Sequence, residues 1–184
     1  MFRFILVIFV LSFITSAHAI NKNQIIQSLE KIDNFSFNFE QKINEKTENG
    51  QCIIKYPKKI FCSYNDKRGK IIVSNGKSLV IKNRNSGSFY IYPLKKTPLE
   101  FILDKKYLIN KINNSKLRNI DNKYANFRFV EDENEINIFF DNKTYNLIGW
   151  QLEDIYQNLN ITFISIIEIN QKIKDSQFKL PKKD

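Results

Sequence analysis

The chain has 184 residues, 42% of them apolar, which is enough to bury one real core and too apolar for a disordered protein. Its 29 Lys and Arg against 19 Asp and Glu give a formal charge of +10, a balance that favours anionic partners such as phospholipid head groups, nucleic acid or acidic proteins. Lysines scattered through an Asn- and Ile-rich chain also simply solvate a surface, and the lack of an Arg-rich cluster interleaved with aromatics argues against nucleic acid.

Met1 to Ala19 reads as an export signal rather than as part of the fold. Arg3 forms a short positive start, Phe4 to Phe13 is a ten-residue apolar run, and Ala17-His18-Ala19 is a small-x-small cleavage site. The run is too short for a permanent span, which needs about 20 residues. Cleavage after Ala19 leaves one domain, 20–184, and no Cys follows the site to take a lipid.

Apolar residues at 25, 26, 29 and 32 form one helical stripe, with Asn21 or Asn23 as N-cap and Asn34 as a stop. The period then becomes two, with Phe35, Phe37 and Phe39 alternating with polar residues as in a half-buried strand. From Gly50 to Lys82 the chain reads as a meander. Pro57 breaks the ladder between Cys52–Tyr56 and Ile60–Tyr64, so a hairpin turns near Pro57-Lys58. Asn75-Gly76 predicts a second hairpin with a two-residue turn, pairing Ser74 with Lys77, Ile72 with Leu79 and Ile71 with Val80. Phe89–Tyr92 is a further strand, stopped by Pro93.

Thr97 is a cap, Pro98 suits the first helical position, and Glu100 is placed to close a capping box on the Thr97 amide. Leu99, Ile102 and Leu103 share one face of this helix, and Leu108 with Ile112 continues the helical segment. Asn113 to Lys123 reads as a loop. Strand patterns return at Tyr124–Val130, Glu135–Phe140, Tyr145–Leu152 and Asn160–Ile169, with a last short one at Phe178 before Pro181. The fold class is mainly β with α (α+β): nine to eleven short antiparallel strands, curled into an open barrel.

The only histidine, His18, leaves with the signal, which removes Ser-His-Asp, Cys-His and His-metal chemistry. Carboxylates are scattered at turns, and five glycines make no phosphate loop. No enzyme, metal or cofactor is expected. The two cysteines, Cys52 and Cys62, oppose each other if the first hairpin closes at Pro57, within reach of a disulfide in an oxidising compartment; the alternative is a pair of buried thiols.

The residues resemble the outer-membrane lipoprotein carrier (LolA) family. The matching features are Phe35-x-x-x-Phe39-x-Gln41 after a first helix, Gly50 leading to Tyr56-Pro57-x-x-Ile60, the run from Ile71 to Leu79, Thr97-Pro98, and a closing Phe178-x-Leu180-Pro181. They recur in family order over nearly the whole mature chain. The resemblance implies an open, curved antiparallel half-barrel under a helical lid, in the periplasm, with an apolar concave face for acyl chains. It departs at two points. The family carries an Arg before this Pro, hydrogen-bonded to the lid as part of a gate, where this chain has Tyr56, whose phenol lacks an arginine's fork. The chain also ends three residues after Pro181, which is more like the receptor form.

Bulky aliphatics on both faces of Ile71–Val73 and Leu79–Ile81 leave two accounts open: both faces packed as core, or one lining a cavity. The resemblance implies the second. Pairing puts Ile72, Leu79 and Ile81 on one face, and Ile54, Tyr56, Ile60 and Tyr64 on the corresponding face of the preceding hairpin, with Leu99, Ile102 and Leu103 closing from the lid. The function implied is a monomeric chaperone that ferries acylated lipoproteins from an inner-membrane ABC transporter to an outer-membrane receptor. The alternatives are a bifunctional carrier–receptor and a lipid-binding sensor module of the same fold.

Overall fold

The computed structural model describes residues 21–131, 134–153 and 158–183; the expected export signal lies outside them. Asn21 caps α1 (Lys22–Glu30) by accepting a hydrogen bond from the Asn23 amide, and the helix buries Ile25, Ile26 and Leu29. It ends before Asn34, which instead opens β1 (Asn34–Ile43). The meander follows as β2 (Lys46–Lys55), β3 (Lys59–Tyr64), β4 (Lys70–Asn75), β5 (Ser78–Asn83) and β6 (Phe89–Pro93). After a short 3-10 turn at Leu94–Lys96 come α2 (Leu99–Leu103) and α3 (Lys105–Asn114). The chain finishes with β7 (Arg118–Ile120), β8 (Tyr124–Glu131), β9 (Asn134–Asp141), β10 (Leu147–Glu153), β11 (Leu159–Ile169) and a 3-10 turn at Asp175–Phe178.

All eleven strands lie in one open antiparallel sheet of order β6-β5-β4-β3-β2-β1-β11-β10-β9-β8-β7. β1 is therefore central: its odd residues Phe35, Phe37 and Phe39 turn to the concave side, as the alternation predicts, and are buried there. On that side α1, α2 and α3 close over the sheet, and Ile102, Leu103, Leu108 and Ile112 join Phe127, Ile136, Ile138 and Phe140 in one core. Gly50 faces Phe39 across the ladder, and a Cβ there would meet the Ser63 carbonyl at 2.2 Å. The bare backbone lets the Phe39 and Tyr64 rings meet edge to face, 4.8 Å between centroids.

The second hairpin differs in register from its sequence reading. Its closing pairs are Ser74–Leu79, Val73–Val80 and Ile72–Ile81. Asn75 does not supply a central turn position. Its side chain accepts from the Lys77 and Ser78 amides, the Ser74 hydroxyl takes the Gly76 amide, and Gly76 at φ +95° makes the bend one residue later than expected. Pairing moves by two residues, so every side chain keeps its face.

The capping box does not form either. The Thr97 hydroxyl donates back to the Leu94 carbonyl at 2.8 Å, closing the preceding turn, and Glu100 is drawn to Lys58 in the turn between β2 and β3. The helical segment also breaks at Asp104, whose carboxylate caps α3 by accepting from the Tyr107 amide. β7 lies inside the stretch read as a loop, and Phe178 ends a 3-10 turn rather than forming a strand.

Ile71, Val73 and Val80 point away from the concave side yet are buried. The C-terminal segment covers them: the Asp175–Phe178 turn packs on β3 and β4 with Phe178 only 2% exposed. Lys55 and Lys59 pair with Asp175, and the Lys82 ammonium donates to the Lys182 carbonyl.

Candidate functional site

Part of the concave side is not filled. Between β1–β6, β10, β11 and the start of α2 lies a hollow of about 270 Å³, mostly aliphatic and aromatic in its walls. Six of the residues expected to line such a cavity do so: Ile60, Tyr64, Ile72, Leu79, Ile81 and Leu99. Ile54, Tyr56, Ile102 and Leu103 lie on the same side but outside the hollow, packed in the closed core under the other half of the lid. Phe37, Phe39, Ile43, Trp150 and Leu152 complete the apolar wall. The Phe37 alternation already pointed inward; the wall from β10 depends on its pairing with β11, which no local pattern announces.

Cys52 and Cys62 also face the hollow. They are directly opposed on β2 and β3 and joined by a disulfide. The bond staples the cavity floor three ladder pairs from the hairpin turn, where the Tyr56–Pro57 peptide is cis and Lys58 takes φ +65°.

The lid is tied down at this turn, though not by the residue the family resemblance pointed to. Tyr56 is buried, its hydroxyl has no hydrogen-bond partner, and burial raises its phenol well above the usual value. Lys58 holds the lid instead. Its amide donates to the Leu103 carbonyl at 2.8 Å, and its ammonium sits 2.6 Å from Glu100 and 3.1 Å from Asp104. The only sequence signal for this clasp is a lysine beside Pro57 and two carboxylates four apart on the lid.

One end of the hollow is polar. The Tyr64 hydroxyl donates to Gln41 Oε1, Gln41 Nε2 to the Thr162 hydroxyl, and Thr162 to Asn160 Oδ1, a chain running across β3, β1 and β11. Lys70 is the one cation among the described lining residues; its ammonium lies 3.7 Å from the centre of the Tyr64 ring and bonds the buried Glu48 carboxylate. Burial alone would raise the Glu48 carboxyl, but the Lys46 and Lys70 ammoniums outweigh it and hold it below its ordinary value. For Lys70 burial is the larger influence and pushes its ammonium down despite Glu48.

A lidded half-barrel with a mostly apolar hollow has the form of a site that holds a ligand by burial. The chain belongs to the outer membrane lipoprotein carrier protein LolA family, whose model matches residues 30–181. Members of that family are periplasmic carriers that bind lipoproteins and are not enzymes. No curated protein matches the chain significantly. Among solved structures, it resembles a LolA superfamily protein, NE2245 from Nitrosomonas europaea, at 10% identity and a TM-score of 0.48, covering 88% of this chain and 99% of that one. A DUF1329 family protein from Desulfovibrio piger is similar at 7% identity and a TM-score of 0.44, covering 86% and 95%.

Proposed function

We propose that this protein is a periplasmic lipoprotein carrier. After export and cleavage behind Ala19 it takes acylated lipoproteins from an inner-membrane ABC transporter and delivers them, as a monomer, to the outer membrane or its receptor. Each acyl methylene moved into water costs about 0.8 kcal/mol, so a multiply acylated protein neither crosses an aqueous space unshielded nor falls off its carrier, and transfer runs mouth to mouth.

The observation that carries this reading is the apolar hollow under a lid hinged on a few polar contacts. At about 270 Å³ the hollow falls just below the roughly 300–1,000 Å³ of pockets that bury a drug-sized ligand, too small for several acyl chains at once. Loading a lipoprotein therefore requires α2 to swing outward, and the clasp at Lys58 is the contact that must yield.

Leu79→Glu tests the reading. Leu79 lines the hollow, where a carboxylate is hydrated through the opening but excludes acyl chains. The variant is expected to fold and to lose capture of acylated lipoprotein. Val80→Glu, buried on the opposite face beneath the C-terminal segment, is expected to unfold the protein instead. Folded Leu79→Glu protein that captures lipoprotein like wild type sinks the proposal.

A further inference from the structure

Beyond the polar end of the hollow lies a shallow basin lined by Ile43, Asn44, Glu45, Lys46, Glu48, Arg68 and Lys70. Ile43 and Lys70 line both spaces, so the basin adjoins the apolar hollow. Three cations converge there on one carboxylate whose side chain is 7% exposed. Lys46 lies 2.6 Å and Arg68 3.1 Å from Glu48 Oε1, while Lys70 bonds Oε2. Asp66 holds the Arg68 Nε, while Lys46, Arg68 and Lys70 all line the basin.

Three cations are paired here with two carboxylates, Glu48 and Asp66. Lys46 and Arg68 already neutralise Glu48 from the solvent side, and Lys70 is the member held at the junction with the hollow, only 15% exposed. A largely buried ammonium at the mouth of an apolar pocket suits an acceptor that arrives attached to a hydrocarbon chain. The lipid on a bacterial lipoprotein, diacylglycerol joined to cysteine, carries no anion and makes no use of this cluster.

We propose that the basin is a head-group site, and that the protein binds anionic amphiphiles: acyl chain in the hollow, phosphate or carboxylate against Lys70, Lys46 and Arg68. The inference rests on the reading of the hollow as an acyl-chain site and adds a ligand class to it. Glu48 is then an internal competitor that holds the cations in place when the site is empty and gives up part of its coordination to the incoming anion.

Displacement of the fluorescent probe N-phenylnaphthylamine from the full mature protein measures this, using dioctanoylphosphatidylglycerol, laurate and uncharged dioctanoylglycerol as competitors. Wild type is expected to prefer the phosphatidylglycerol over the diacylglycerol by roughly tenfold or more, the worth of one charge-assisted hydrogen bond. Lys70→Met should abolish the preference, read on folded protein as the ratio of the phosphatidylglycerol and diacylglycerol affinities, so that a change in the hollow's own affinity cancels. Lys70→Arg should keep the preference, and Glu48→Gln, by removing the competitor, should increase it. Laurate bound as strongly and as dependently on Lys70 supports a carboxylate head; phosphatidylglycerol alone supports a phosphate. Equal wild-type affinity for charged and uncharged lipids, or a preference that survives Lys70→Met, overturns the head-group site while leaving the hollow's role intact. Failure of all three lipids to bind overturns both.

Discussion

The Lys58 ammonium, on the turn between β2 and β3, lies 2.6 Å from the Glu100 carboxylate on the lid helix. Glu100, and then Asp104, raise the lysine above its ordinary value, so its ammonium stays charged at neutral pH. Because the pair is partly exposed, its contribution is modest, about 0.2–1 kcal/mol. Lys58→Met should raise hydrogen exchange of the Leu99–Leu103 amides about two- to fivefold and leave β2 and β3 protected. An increase spread evenly over the sheet contradicts a local clasp.

The disulfide closes a short loop, with a sequence separation of 10 between Cys52 and Cys62. Chain entropy puts the stabilisation from such a loop at roughly 2–3 kcal/mol. The double variant Cys52→Ser/Cys62→Ser should lose about that much in denaturant unfolding. Alkylation of both thiols in the untreated wild-type protein contradicts the bond.

Phe178 is buried where its turn packs on β3 and β4, the side to which Ile71 and Val73 point. Phe178→Ala should cost about 3–5 kcal/mol in global stability, yet leave lipid binding per folded molecule unchanged, because this core is on the far face of the sheet from the hollow. A selective loss of binding at unchanged stability contradicts that separation.

Glu48 makes acid stability testable. Its folded-state value is held below its ordinary one, so it stabilises the fold above the ordinary carboxylate range, and the contribution is lost as pH falls through the lowered value. Thermal melts of wild type should therefore fall more steeply between about pH 5 and 3 than those of Glu48→Gln, with the variant less stable at pH 7. Parallel curves contradict a role for the Lys46–Glu48–Lys70 cluster in stability.

Much of the concave face was legible because strand periodicity is two. Ile72, Leu79 and Ile81 keep one face even though the hairpin closes two pairing positions away from its sequence reading. The opposition of Cys52 and Cys62 needed only the position of Pro57. Contacts between distant segments left no such trace. Trp150 reaches the hollow because β10 pairs with β11 and β11 with β1. Phe178 finds its place by lying across strands about a hundred residues earlier. β7 is three mostly exposed residues held by pairing to β8, with no apolar alternation to mark it. Asn75 looked like a turn centre because its propensity there is high, but its side chain serves the turn better from outside.

The pairing of β1 with β11 also sets the order in which this molecule can assemble. Gln41 bonds Thr162 across a separation of 121 residues, and the Phe39–Ile164 ladder position is just as remote. The meander β2–β6 and the hairpins of β8–β10 are local and can form early; the joint between them cannot exist until the final strand arrives. Until then the Phe35–Phe39 edge stands open, with apolar side chains and unpaired amides on the strand that later becomes the middle of the sheet. Delivered vectorially from its N-terminus, the chain presents its stickiest edge first and covers it last, so its yield depends on what shields that edge during synthesis and release.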